Sequence, residues 1–295
     1  MTYIDYSSEN RYSFTNWMNF LQKLNKSIQR NNSLLCVGHD PVITKLPSHL
    51  QQNSPEDAFF FFNKAIIDAT HDLVCCYKPQ IAHYSAEGTR GLEALLKTIK
   101  YLKKTYSNIP IILDAKRADI GSTSEEYARE AFENIGADAL TVNPYLGLDS
   151  LEPFLKRTDK GVIILCRTTN PGAKDFQDLL VKGEPLYLHV ARKVVEWHIK
   201  YGNCLLVVGA TWPEELKKVR EIAPKLFFLV PGIGAQGGSL KKVIKAGLNK
   251  DKKGLIIHIS RSIIYASNGK YFAKKAREKA TSIRTEINKY RHQTV

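Results

Sequence analysis

From residue 34 onward the chain repeats one phrase: a short run of apolar and β-branched residues, then a longer stretch with apolar positions three and four apart. The short runs are LLCVGHD (34–40), LVCCYKPQ (73–80), IPIILDAK (109–116), ADALTVNP (137–144), GVIILCRT (161–168), CLLVVGAT (204–211), LFFLVPGI (226–233) and GLIIHISR (254–261). Near-continuous apolarity is the pattern of a strand buried on both faces, whereas a strand with one wet face alternates. The stretches 55–70, 91–106, 124–134, 186–201 and 213–222 carry helical spacing. Parallel strands alternating with helices define the α/β class, and eight such units match the count of a (β/α)8 TIM barrel. An open doubly wound sheet is the competing architecture. It often announces a nucleotide with a glycine loop after its first strand, and here that strand ends in GHDP.

Ahead of the first strand, Phe14, Trp17, Met18, Leu21, Leu24 and Ile28 recur at helical spacing over 12–31 and predict an amphipathic helix able to close one end of a barrel. No linker, low-complexity tract or shift in composition divides the chain. The expectation is one barrel domain over 1–295, with an N-terminal helical extension (1–33) and a basic C-terminal helix (269–295).

The net charge of +14 raises two possibilities, nucleic acid or a small anionic substrate. Near the C-terminus Lys270, Lys274, Lys275, Arg277, Lys279, Arg284, Lys289 and Arg291 face only Glu278 and Glu286, interleaved with Phe272, Ala276, Ile283, Ile287 and Tyr290. Without a zinc-finger or RNP-like pattern, that set reads as the solvated face of a last helix, and no nucleic-acid partner is expected. Apolar runs are too short to span a membrane, and the N-terminus lacks the features of a secretory signal, so a cytoplasmic protein is expected. Five cysteines in apolar runs predict reduced core thiols, and eight scattered histidines give no metal-ligand spacing.

Chemistry concentrates in IILDAKRADIGST (111–123), where Asp114, Lys116 and Asp119 appear as a strand gives way to a loop. Side chains two apart on a strand share a face, and a neighbouring carboxylate holds an ammonium protonated. Alone, Asp-x-Lys is accounted for by a salt bridge at a strand end. A barrel, however, gathers catalytic residues at the C-terminal ends of its strands. There the chain offers Asp40, Lys78, Gln80, Asp114, Lys116 and Arg261, with Thr123 in the third loop. After the seventh strand, PGIGAQGG supplies Gly234 and Gly237, whose amides can turn around an oxyanion, and Gln236 as a side-chain donor. Barrels of this type habitually bind phosphate after strands seven and eight, so a phosphorylated substrate is expected.

With these residues assembled, the chain resembles the orotidine 5′-monophosphate decarboxylase family in its bacterial-type (type 2) branch. The resemblance rests on D-x-K-x-x-D-I (Asp114 to Ile120), VGHDP, YKPQ, CRTTNPGAKDFQ, VVGATWPEEL, VPGIGAQGG and ISRSIIYA, in matching order over about residues 34–267. It implies conversion of orotidine 5′-monophosphate to uridine 5′-monophosphate and carbon dioxide by a charged tetrad of Lys78, Asp114, Lys116 and Asp119. Lys116 would protonate C6 and Asp114 would adjoin the departing carboxylate, while Lys78 and Asp119 hold the array. Asp40 and Lys78 would meet ribose hydroxyls, with Gln80 making a nearby polar contact. Thr169 would meet the pyrimidine edge, and Gln236 and Arg261 the phosphate. The resemblance also implies a homodimer with shared active sites, Asp119 and Thr123 reaching into the neighbouring subunit, and no metal or organic cofactor. Orotate phosphoribosyltransferase, which would supply the substrate, is expected on another polypeptide and is a candidate partner.

Two departures stand out: His39 lies beside the presumed ribose ligand, and no arginine follows PGI in the phosphate loop. The nearest rival is a magnesium-dependent 3-keto-gulonate 6-phosphate decarboxylase or hexulose phosphate synthase, which shares D-x-K-x-x-D. Such an enzyme needs a further acidic ligand at the end of strand one or two, where this chain offers Asp40 followed by Lys78, and an ammonium at that spot repels a cation.

Overall fold

The computed structural model describes residues 18–234 and 237–293, and in it all eight apolar runs form strands. They are β1 (Leu35–His39), β2 (Cys76–Pro79), β3 (Ile112–Arg117), β4 (Ala139–Val142) and β5 (Gly161–Arg167), then β8 (Cys204–Val208), β9 (Phe228–Val230) and β10 (Leu255–Ile259). A small antiparallel hairpin of β6 (Leu180–Val181) and β7 (Glu184–Pro185) interrupts the series and was not anticipated. The eight parallel strands run in the order β2-β1-β10-β9-β8-β5-β4-β3. Bridges between Tyr77 and Ile111 and between Gln80 and Asp114 join β2 to β3, bringing the two outermost strands together into a barrel.

Helices Pro55–Thr70, Leu186–Tyr201 and Pro213–Ile222 fall where the spacing placed them. Ser54 caps the first by accepting from the Asp57 amide, with Pro55 at the first helical position. The helix expected from residue 91 begins at Gly88 instead. Gly91 lies inside it, at a position where a Cβ would run into the Tyr84 carbonyl. The pattern at 124–134 is extended forward to Gly121 and finishes in a π-helical turn, Glu130–Asn134.

The N-terminal helix spans Phe20–Asn31, shorter than the 12–31 expected, because a capping box between Asn19 and Gln22 starts it there. Met18 precedes it and is exposed, whereas Phe14 and Trp17 lie outside the described residues. Its buried Phe20 fills the space over Gly161, and Lys23 pairs with Asp138 at 2.8 Å. Asp138 also accepts from the Ile111 amide, so the helix is bolted across the N-terminal end of the barrel.

The last helix, Phe272–Gln293, buries Phe272, Ala276, Ile283 and Ile287 as the pattern required, adds Ala280, and leaves Tyr290 half-buried. Its basic face is only partly solvated, which corrects the sequence expectation. Arg277 grips Asp72 through two bonds of 2.6 and 2.7 Å, Arg284 reaches the Asp72 carbonyl, and Arg291 is buried with its Nε on the Lys252 carbonyl. One hydrophobic cluster runs from Phe20 to Ile287, and all five cysteines are buried and free. Among the described residues no helix is long and apolar enough to cross a membrane.

Candidate active site

Where β3 meets β4 the ladder loses register. Leu113 pairs with Leu140 and Arg117 with Val142, so Asp114, Ala115 and Lys116 oppose a single residue, Thr141. The Thr141 hydroxyl takes over the missing ladder bonds by accepting from the Ala115 and Lys116 amides, each at 3.0 Å, and donates to Asp114 Oδ1 at 2.8 Å. Lys116 thereby holds a left-handed backbone, φ +48°, a conformation costing a non-glycine residue about 1–2 kcal/mol. Asp114 and Lys116 do meet, as the two-residue spacing implied. They do so across a bulge rather than along a regular pleat.

Asp114 is the centre of the charges. Its Oδ2 accepts from Lys78 Nζ and its Oδ1 from Lys116 Nζ, both at 2.7 Å. Burial opposes ionisation of this carboxyl, but the two ammonium groups prevail and hold it far below the usual carboxylate range. Lys78 is buried; desolvation works against its charge, yet Asp114 and Asp40 hold its pKa above the ordinary lysine value. Lys116 differs, with 46% of its side chain exposed towards the cavity.

That cavity, about 630 Å³, opens at the C-terminal ends of the strands and is lined by Asp40, Lys78, Gln80, Asp114, Lys116, Thr169 and Arg261, seven of the residues the sequence selected. Asp40 is disfavoured as an anion by burial but held ionised by Lys78. Gln80 caps the short helix Ile81–Ser85 by accepting from the Ala82 amide, and its amide group also borders the cavity. Several lining residues were missed by sequence reasoning: Thr141, His258, Lys45, Gln177 and Tyr265. His258 left a trace as a lone polar residue inside an apolar strand, and Gln177 and Tyr265 fall within the CRTTNPGAKDFQ and ISRSIIYA segments without having been singled out. His39, by contrast, turns away from the cavity and packs on Tyr77, ring centres 5.0 Å apart, with its pKa pushed down to about 4 by burial.

Thr169 owes its position to the network beneath the loop that follows β5. Fully buried Arg167 pairs with Asp178 at 3.0 Å and stacks its guanidinium 4.4 Å from the centre of the Trp212 ring. Trp212 Nε1 donates to the Thr168 carbonyl at 3.0 Å, and Gln177 Oε1 accepts from the Thr168 amide at 2.8 Å. Gly209 lets the turn close down, since a Cβ there would lie 2.5 Å from Thr169 Cγ2.

The glycine loop sits beside a smaller cavity lined by Gly232, Ile233, Ser260 and Arg261, continuous in lining with the main one through Asp40 and Arg261. Gly234 and Gly237 take positive φ values of 74° and 85°, open to glycine at no steric cost. Their amides bond within the loop, Gly237 to the Gly234 carbonyl at 2.9 Å and Gly234 to the Gly238 carbonyl at 3.4 Å. Neither glycine lines the main cavity, and Gln236 lies outside the described residues. Asp119 and Thr123 are also absent from their own chain's cavity lining. Asp119 accepts from the Ile120 amide at 2.8 Å and forms no ion pair among the described residues. Thr123 is exposed on the helix Gly121–Arg129. Among the described residues no group of acidic, histidine or cysteine side chains is arranged to hold a metal ion.

A parallel barrel with a buried carboxylate between two lysines at the catalytic rim, next to a glycine loop and an arginine, defines an enzyme of the phosphate-handling barrel class. The chain belongs to the Orotidine 5′-phosphate decarboxylase / HUMPS family, whose model matches residues 33–276. It is 54% identical over 271 residues to an orotidine 5′-phosphate decarboxylase of Cellvibrio japonicus, covering 92% of this chain and 98% of the relative. The solved OMP decarboxylase of Leishmania donovani superposes with a TM-score of 0.81 at 39% identity, over 93% of this chain and 99% of that one. The UMP synthase of the same organism matches at 41% identity with a TM-score of 0.82, over 93% of this chain and 57% of the larger one.

Proposed function

We propose that the chain catalyses the reaction its relatives are named for, converting orotidine 5′-monophosphate to uridine 5′-monophosphate and carbon dioxide as a carboxy-lyase. The observation that carries the residue assignment is the Asp114 carboxylate held at 2.7 Å from both Lys78 and Lys116 at the cavity wall. Loss of carbon dioxide from C6 leaves an anion in the plane of the ring, where no π system takes up the electrons. Stabilisation then depends on preorganised charge and a waiting proton donor. Lys116, reaching into the cavity, is the donor to C6. Asp114 adjoins the departing carboxylate and Lys78 holds it in place. Asp40 and Lys78 take ribose hydroxyls, Gln80 a neighbouring polar group and Thr169 the pyrimidine edge.

Arg261 and Gln236 take the phosphate together with the loop of Gly234 and Gly237, whose internal hydrogen bonds exchange for bonds to phosphate oxygens. Binding energy from this remote group orders the charged array, so a substrate lacking it loses turnover as well as affinity. No metal or organic cofactor enters the scheme.

The working unit is a homodimer in which Asp119 and Thr123 complete the partner's site. Its support is that neither residue serves its own cavity, and that Ile120, Tyr145 and Phe176 are 61%, 80% and 62% exposed around the rim. The continuous core supports one domain over the chain, and free buried thiols suit the cytoplasm. Outward-facing Lys270, Lys274, Lys279 and Lys289 give an orotate phosphoribosyltransferase a basic surface to dock on.

The test is the loss of orotidine monophosphate absorbance on adding purified, chelator-treated protein, with uridine monophosphate identified as product. Conversion without metal is expected. A folded protein that converts nothing until given magnesium and a sugar phosphate would move the assignment to the related synthases.

A further inference from the structure

His258 is a cavity-lining ionisable side chain that the scheme above leaves without work, as it does Lys45, His83 and Tyr265; it is the one that stands on a barrel strand beneath the charged residues. It projects from β10 into the cavity, three residues before Arg261, among Asp40, Lys78 and Asp114. Its ring is accommodated by Gly38 on the neighbouring strand β1: a Cβ at that position would stand 2.5 Å from Nε2. Among the described residues Nε2 is sealed from solvent with no hydrogen-bond partner, and Asp40 Oδ1 is likewise buried and unpartnered. Nδ1 forms no hydrogen bond among the described residues either and is not sealed, which leaves it on the cavity side. The cavity wall therefore presents an imidazole nitrogen without a partner beside the Asp40 carboxylate, and a bound ligand that closes off such a group is penalised unless it bonds to it.

We propose that His258 is a specificity-determining residue that binds a ribose hydroxyl of the nucleotide jointly with Asp40. The inference rests on the nucleotide reading of this cavity and extends it to a residue that reading does not use. Two chemical facts select a hydroxyl. First, burial and then the Lys78 ammonium push the imidazole down to about 3, so at neutral pH it is uncharged and cannot serve as a phosphate-pairing cation. Second, a neutral imidazole offers one N–H and one lone pair, and a hydroxyl that accepts from the N–H keeps its own proton to donate to a carboxylate. A phosphate or carboxylate oxygen could meet only the N–H and would be repelled by Asp40.

The experiment measures Kd for uridine 5′-monophosphate and for its 2′-deoxy and 3′-deoxy analogues, in wild type, His258→Leu and His258→Gln. Loss of one neutral hydrogen bond corresponds to about three- to tenfold in affinity. His258→Leu is expected to weaken the ribonucleotide by that factor while changing the affinity for one of the two deoxy analogues by less than about twofold, since the wild type has already lost that bond. His258→Gln, which keeps a donor and an acceptor, is expected to recover most of the loss. Equal weakening of all three ligands, or no weakening of any, in a variant with a wild-type melting curve overturns the proposal. Should His258→Leu not fold, the glutamine variant and Gly38→Ala, which displaces the ring but keeps it, are measured against the same ligands with the same criterion. A wild type that binds none of the three nucleotides would instead refute the nucleotide reading itself, a distinct outcome.

Discussion

Asp114→Asn keeps the shape of the most constrained side chain in the site and removes its charge. In the wild type Lys78 has 3% of its side chain exposed and donates a hydrogen bond to Asp114 Oδ2 at 2.7 Å. Neutralising the carboxylate leaves that ammonium buried beside only one remaining counter-charge, Asp40. Breaking a buried pair from one side costs about 3–5 kcal/mol. Asp40 moves the expectation towards the lower end, and for a chain of this length 3–5 kcal/mol lowers Tm by about 5–8 °C.

The sign with pH follows from the depressed carboxyl. Its contribution is complete above the unfolded carboxylate value of about 3.9 and is lost as pH falls towards the lower folded value. The gap between wild type and Asp114→Asn is therefore expected to be constant at neutral pH and to narrow below about pH 4. Adding Lys78→Met removes the stranded ammonium and is expected to recover more than half of the lost stability, with turnover abolished in both variants. Calorimetry or denaturant titration from pH 7 to pH 3 measures all three proteins. An Asp114→Asn variant as stable as wild type, or a double variant no better than the single one, would show that the charges are not coupled as described.

Thr141→Val removes the hydroxyl that anchors the bulge and is expected to cost about 2–4 kcal/mol and much of kcat, with Thr141→Ser close to wild type; a fully active, stable valine variant would contradict the anchoring role. Lys116→Ala is expected to lower turnover by at least about 10²–10⁴ while leaving stability within about 1 kcal/mol, because the side chain is half exposed. Near-normal rates in that variant would remove it as proton donor. Arg261→Ala should weaken nucleotide far more than nucleoside, and equal losses for the two would count against a phosphate contact. Mixing inactive Asp119→Ala with inactive Lys116→Ala should restore about a quarter of wild-type activity through mixed dimers carrying one intact site, whereas no restoration would mean each site is built from one chain.

The near-continuous apolar runs were enough to place eight strands, because a parallel strand buried on both faces has no freedom to carry polar residues. Helix ends were legible where a cap or proline marked them, as at Ser54 and Pro55, and not where no side chain caps the start, as at Gly88 after Glu87. The charged residues at strand ends were legible for the same reason: Asp40, Lys78, Asp114 and Lys116 interrupt apolar runs at a rim whose place the repeat itself defines. What the chain alone could not disclose were partners distant along it. Thr141 is an unremarkable β-branched residue until the register slip of β3 brings two amides and Asp114 to its hydroxyl. Arg167 looks like another strand-end cation until Trp212 and Asp178 enclose it, and Arg277 and Arg291 look like solvated charge until Asp72 and the Lys252 carbonyl meet them. Periodicity reports which face of an element is buried, since every residue of the element contributes to it. Which two side chains then meet depends on strand order, register and loop closure, and only the folded barrel decides those.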